Sequence, residues 1–188
     1  MIIDKFLSDE DYKNIKNYIL GPNMLWGFGE MVNVNDDHGI TNPEAIETWG
    51  FNRNIFDSSI EYGDEKALVI MIPIMNNIIA LNGQETKIKR IRAGMLCYKH
   101  GFKQENYNMP HIDDIPPHKT LILYMNDTDG DTYIFNEKFS GKPLTTFTIK
   151  EKINPVENRA VILDGHQYHA ASNPIHHDYR VIINVNYV

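Results

Sequence analysis

The stretch Asn108 to Thr120 reads NMPHIDDIPPHKT, with two histidines, two adjacent aspartates and three prolines ahead of the apolar run LILYMND. Imidazole and carboxylate are metal ligands and proton carriers, so this density suggests a metal centre at the lip of a buried strand. Residues i and i+2 of a strand face one side, which lets His111 and Asp113 reach one ion from a sheet edge. A third ligand must come from elsewhere. His169 opens the strand-like YHAAS more than fifty residues downstream, where a ring can be aimed inward, whereas His166 follows Asp164-Gly165 and belongs to a turn. His111, Asp113 and His169 then make a two-histidine, one-carboxylate set, which leaves three positions of an octahedral Fe(II) open.

The spacing itself is weak evidence, because His176-His177-Asp178 repeats it. That second pair has ten residues after it and no further histidine, and it reads as a solvated turn. His100 and His118 read as surface or supporting groups, His38 as plain loop, and Asp114 as a surface or turn acid.

The elements that must position these groups fall into two parts. Ser8 can cap a helix whose first turn holds Asp9, Glu10 and Asp11 and whose Tyr12, Ile15 and Ile19 share a face, with Gly21-Pro22 as its stop. Residues 26–63 read as loops with one short strand. The run KALVIMIPIMNNIIALNG reads as a helix with Pro73 in its first turn, or as a longer helix kinked there. After Gly83, short β-branched runs alternate with turn residues. Strands are expected at 87–98, 119–126, 132–136, 144–149, 159–164, 168–172 and 179–187. Many short strands behind two helices predict a mainly β, α+β chain: a sandwich, jelly roll or barrel with flanking N-terminal helices. A single domain over 1–188 is expected, with helical and loop support in 1–86 and the β core in 87–188.

A formal charge of -7 argues against broad attraction to nucleic acid or anionic lipid. The one cysteine, Cys97, excludes an internal disulfide and a four-cysteine zinc site, and implies a reducing, cytoplasmic setting. No apolar stretch is expected to reach membrane-spanning length, and the acidic MIIDKFLSDEDY is unlike a signal peptide.

In order along the chain, Tyr98, HIDD, LILYMND, DGDTYIF, NRAVILDGHQYHAASNP and DYRVIINVNY resemble the prolyl 4-hydroxylase-like branch of the Fe(II)/2-oxoglutarate-dependent dioxygenases, particularly small bacterial and phage members. The match covers roughly 87 to the C-terminus, and DKFLSDEDYKNI is weakly similar to the family's opening helix. The resemblance implies a double-stranded β-helix (jelly roll, cupin-like) and a site in which His111, Asp113 and His169 hold Fe(II). It also implies that Arg180 binds the distal carboxylate of 2-oxoglutarate, with Tyr124 assisting, Tyr98 near the co-substrate's other end and Thr132 as a further pocket hydroxyl. Gly130-Asp131 departs from the family's adjacent glycines. The implied reaction is hydroxylation of an unactivated C–H bond with O2, releasing succinate and CO2, on a peptide (first of all a prolyl residue), a protein or a small molecule. The setting implied is intracellular, including a virus-infected host cell. The rival readings are a cupin-like enzyme with another metal and no 2-oxoglutarate, and a non-catalytic jelly-roll binding module.

Overall fold

The computed structural model describes residues 1–29, 45–46, 48–142 and 144–188. His38 lies outside them, as does much of the loop read over 26–63. The helix α1 (Asp9–Ile19) begins where Ser8 Oγ accepts the Asp11 N–H at 3.1 Å, as expected, and buries Tyr12, Ile15 and Ile19. The second helix, α2 (Glu65–Asn82), is the longer of the two forms expected for its run, with Pro73 inside it. Asp64 caps it by accepting the Ala67 N–H at 3.1 Å while pairing with Arg53 at 2.9 Å. Gly83 ends it at φ 105°, a conformation that favours glycine. An interior proline costs about 3 kcal/mol of helix propensity. Burial of Ala67, Met71, Ile74 and Ile78 in the core offsets it. At 18 residues α2 is also long and apolar enough to cross a membrane by length and composition, which corrects the expectation that no stretch would be. Its buried face packs on a sheet.

That large antiparallel sheet runs in the order β1 (Ile2–Ile3), β9 (Ala160–Asp164), β6 (Lys119–Tyr124), β11 (Tyr179–Tyr187), β5 (Ile88–Cys97), β3 (Gly50–Asp57), β2 (Gly27–Gly29), with β4 (Tyr62–Gly63) paired to β3. A small sheet runs β10 (Gln167–Ala171), β7 (Thr132–Lys138), β8 (Ile149–Ile153). Side-chain alternation divides the large sheet cleanly. Leu121, Leu123, Val181, Ile183 and Val185 pack with α1 and α2, while Ile122, Tyr124 and Val161 turn the other way to meet Ile134 and Ile153 of the small sheet. Both faces of β6 are therefore buried, which explains why LILY is continuously apolar. The two facing sheets make the jelly roll that the strand pattern predicts, with helices on its outside.

Two strand expectations need correction. A strand was expected over 144–149, but β8 is IKEKI, largely exposed and bonded only to β7 among the described residues. An edge strand gains solubility from lysines, so its sequence lacks the apolar signal; Phe147, which supplied that signal, packs beside the ladder against Phe135 and Tyr168. Conversely, β3 is eight residues long inside a stretch read as mostly loop, because its asparagines and arginine mask a regular pairing with β5.

Candidate metal and anion site

The segment carrying His111 does not join a full strand. It touches β10 through one antiparallel bridge, with His111 N–H donating to the His169 carbonyl at 2.9 Å and His169 N–H donating back at 3.0 Å. A bridged pair places its side chains together, and the two imidazole centroids are 4.5 Å apart. The bridge is extended by Asn108, whose N–H and Nδ2 both donate to the Ala171 carbonyl, and by a buried cluster of Asn108, Asn173 and Thr48. The prolines of NMPHIDDIPPHKT thus keep the ligand segment out of the ladder while these bonds fix where it lies.

His111, Asp113 and His169 each offer a ligand atom, all within 4.8 Å of one another. Each ring is oriented by its own backbone. His111 Nδ1 faces the Met109 carbonyl at 3.2 Å and His169 Nδ1 faces the Gln167 carbonyl at 3.1 Å. A carbonyl can only accept, so Nδ1 carries the proton in both and the Nε2 lone pairs are left for a cation. Burial, followed by the neighbouring His169, pushes the pKa of His111 down to about 4, so its neutral, ligating form prevails near neutral pH. Burial works against ionisation of Asp113, but His169, His111, Arg90 and a bond from Asn184 outweigh it and hold the carboxyl far below the ordinary range. Asp113 Oδ2 accepts from Thr120 Oγ1 at 2.7 Å, Asn186 Nδ2 at 3.0 Å and Asn184 Nδ2 at 3.1 Å. Two imidazoles with Nε2 turned to a common point and one anchored carboxylate fit a divalent cation.

A second polar centre lies farther along β11. Arg180 is 3% exposed, and among the described residues no carboxylate comes within ion-pair distance of it. Its Nε donates to the Gly130 carbonyl at 2.7 Å and its Nη2 to Thr132 Oγ1 at 2.7 Å, and its guanidinium lies 5.5 Å from the Tyr124 ring centroid. Tyr124 O–H also donates to Thr132 Oγ1, at 2.6 Å. Burial pushes the Arg180 pKa down, yet a guanidinium stays charged. Gly130 makes room for it: a Cβ there would stand 2.9 Å from Arg180 Cδ and 2.6 Å from the Ser172 carbonyl. One glycine suffices for this approach, so Asp131 in place of a second leaves the arginine's seat intact. A buried cation held by neutral groups fits an incoming carboxylate.

The structure therefore brings together six of the seven residues singled out in the sequence: the triad, and Arg180 with Tyr124 and Thr132. Tyr98 stands apart. It follows the last residue of β5, is 48% exposed, and among the described residues its side chain makes no hydrogen bond or ring contact with the site. His166 sits in the turn and faces the Ile115 carbonyl at 2.6 Å, and His118 faces the Pro116 carbonyl at 2.8 Å, so neither joins the triad. Sequence reasoning missed the supports of Asp113: Thr120, Asn186 and, as a bonding partner, Asn184. The signal was readable, since Arg180, Asn184 and Asn186 recur on one face of an otherwise apolar strand.

At the level of sequence, no family model and no curated protein matches the chain. Solved structures do. A prolyl hydroxylase from Trichoplax adhaerens, in complex with a hypoxia inducible factor oxygen degradation domain peptide fragment, aligns with TM-score 0.60 and 15% identity over 100% of this chain and 82% of its own. A viral collagen prolyl hydroxylase from Paramecium Bursaria Chlorella virus-1, in a 2OG complex, aligns with TM-score 0.52 and 14% identity over 100% and 94%. The protein has the fold of the 2OG-Fe(II) oxygenases. The same fold carries other chemistry: the non-heme alpha ketoglutarate dependent epimerase SnoN of nogalamycin biosynthesis aligns with TM-score 0.60 and 11% identity over 100% and 76%.

Proposed function

We propose that the protein is a 2-oxoglutarate- and Fe(II)-dependent oxygenase, with residues 1–188 forming one oxygenase domain, that hydroxylates an unactivated C–H bond. A prolyl residue of a peptide or protein is the first substrate class to test. The observation that carries this reading is the buried, acid-free Arg180 in the same barrel as the triad. A cupin-like enzyme using another metal needs the triad but no such guanidinium, and a binding module needs neither. Two prolyl hydroxylases share the fold, one solved with a peptide, and this supports a peptide substrate.

His111 Nε2, His169 Nε2 and the Asp113 carboxylate would hold Fe(II), and Arg180 with Thr132 would hold the distal carboxylate of 2-oxoglutarate. Bound there, the metal and co-substrate with O2 supply the oxidising power that converts C–H to C–OH while 2-oxoglutarate leaves as succinate and CO2. The chain's own part is to orient and exclude. Carbonyls at Met109 and Gln167 keep both imidazoles in the ligating tautomer, and Thr120, Asn184 and Asn186 stop Asp113 from rotating. Ile122, Ile134 and Ile182 keep the barrel floor between the two centres apolar, which strengthens each electrostatic contact there. A single thiol and dependence on ferrous iron both suit a reducing cytoplasm.

The test is 2-oxoglutarate binding by the metal-loaded chain under nitrogen, then succinate formation under air with a proline-containing peptide library. Metal-dependent binding and iron-dependent succinate are expected. Absence of 2-oxoglutarate binding in the metal-loaded protein would refute the oxygenase reading and favour the other-metal barrel.

A further inference from the structure

The large sheet carries two more cationic residues that the scheme above leaves unused. On β5 the side chains of Arg90 and Arg92 share a face with Gly94 and Leu96, and the register sets Arg90 opposite Asn186 and Arg92 opposite Asn184. Those asparagines hold Asp113, so the arginines stand beside the metal carboxylate, one strand over toward β3. Both are half-buried.

Among the described residues their charges are poorly matched. Arg90 Nη2 stands 3.5 Å from Asp113 Oδ1 and 3.3 Å from the Asp113 carbonyl, well beyond the roughly 2.7–2.9 Å of a charge-assisted bond. Its Nε is buried without a hydrogen-bond partner among the described residues. Arg92 Nε donates at 2.9 Å to the neutral Asn54 Oδ1, and no carboxylate among the described residues lies within ion-pair distance of its guanidinium. Asp57 acts on both arginines through its field, but its Oδ1 accepts from the N–H and hydroxyl of Ser59. Among the described residues Asp113 is the one acid in contact with the pair, and its charge also serves the triad. Two adjacent guanidiniums without an acid of their own are costly to bury, and the cost is recovered when a planar anion accepts from both. Arg180, at the other end of the same face, is held by neutral partners as Arg92 is by Asn54.

We infer that Arg90 and Arg92 bind a carboxylate of the substrate, close to the carbon offered to the metal. The inference rests on the oxygenase reading and narrows it to carboxylate-bearing substrates. The carboxylate has two sources, a free amino acid or an acidic residue beside the target residue of a peptide, and both present the same two-oxygen group to the pair.

The test uses the full chain loaded with Mn(II) under nitrogen and saturated with 2-oxoglutarate, so that binding is read without turnover. The probes are N-acetyl-prolyl-glutamate amide against its glutamine counterpart, and free L-proline against prolinamide, each titrated calorimetrically. In one pair the acid should bind about tenfold or more tighter than the neutral member, the worth of a charged hydrogen bond. The pair showing the margin identifies the source. Arg92→Met should reduce the ratio to within about twofold, and so should Asn54→Asp, which keeps the side-chain size and supplies Arg92 with an internal carboxylate. Equal binding of acid and neutral probes in the wild type, binding of none of the four, or a ratio that survives both substitutions overturns the inference while normal 2-oxoglutarate binding leaves the oxygenase reading standing. Failure of 2-oxoglutarate itself to bind overturns both.

Discussion

His111-Ile112-Asp113 and His176-His177-Asp178 have the same spacing in one chain, and the fold uses them in unrelated ways. The first is held by a backbone bridge to β10 and turned into the barrel, where His169 completes a three-ligand set. The second lies in an exposed bend. There the working acid is Asp129, from another loop, which accepts the His176 N–H at 2.8 Å and faces His177 Nδ1 at 3.0 Å. Asp178 contributes its backbone carbonyl, to the Tyr98 N–H at 2.8 Å. Spacing brings two groups to one face; only a neighbouring strand turns that face into a site.

The sharpest way to break this contrast is to remove one histidine from each motif. His111→Ala should weaken Mn(II) or Fe(II) binding by about 100-fold or more, since losing a ligand should exceed the 10–100-fold typical of a supporting residue. His176→Ala should leave it within about twofold, because its described bond is made by the backbone. Chelator competition under nitrogen measures both. Comparable losses from the two variants would mean that the triad is misassigned.

Two residues past the second motif the chain enters β11 and Arg180 turns inward, so the boundary between solvated bend and barrel is sharp. Arg180→Met should lower 2-oxoglutarate affinity by about thirtyfold or more, following the 2–5 kcal/mol typical of truncating one partner of a buried charged pair. Metal affinity should hardly change. On the same strand Asn186→Leu should do the reverse, costing about 10–100-fold in metal affinity by freeing Asp113, with a smaller effect on 2-oxoglutarate. Calorimetry on both variants separates the two ends of the site.

What was legible in the sequence is what depends on local rules. The Ser8 cap, the buried strand in the apolar run LILY and the inward strand position of His169 each follow from local pattern and propensity, and each stands in the fold. What was hidden depends on neighbours. IKEKI is a strand only because β7 offers it a ladder, and β3 is a strand only because β5 does. The length of α2 turned on whether tertiary burial would outweigh Pro73. The roles of Asn186 and Thr120 required knowing that β11 and β6 lie side by side next to Asp113. The exposure of the Tyr98 ring likewise could not be read from its place along the chain.

The smallest effect concerns the second motif itself, whose contribution should be to stability alone. Burial opposes ionisation of Asp129, but bonds from His177 and from the backbone N–H groups of His176 and Ile175 prevail and hold its pKa below the ordinary 3.8. A carboxyl whose pKa is depressed on folding adds stability that is fully present above the unfolded value and is lost as pH falls through the folded one. Asp129→Asn should therefore cost about 1 kcal/mol near pH 7 and make the acid limb shallower below about pH 4, in urea melts at a series of pH values. Metal and 2-oxoglutarate affinities should stay within about twofold, since Asp129 touches neither centre. If the acid limb were unchanged in Asp129→Asn, the bend would be held by something other than its carboxylate. The motif would then be inert in stability as well as in chemistry.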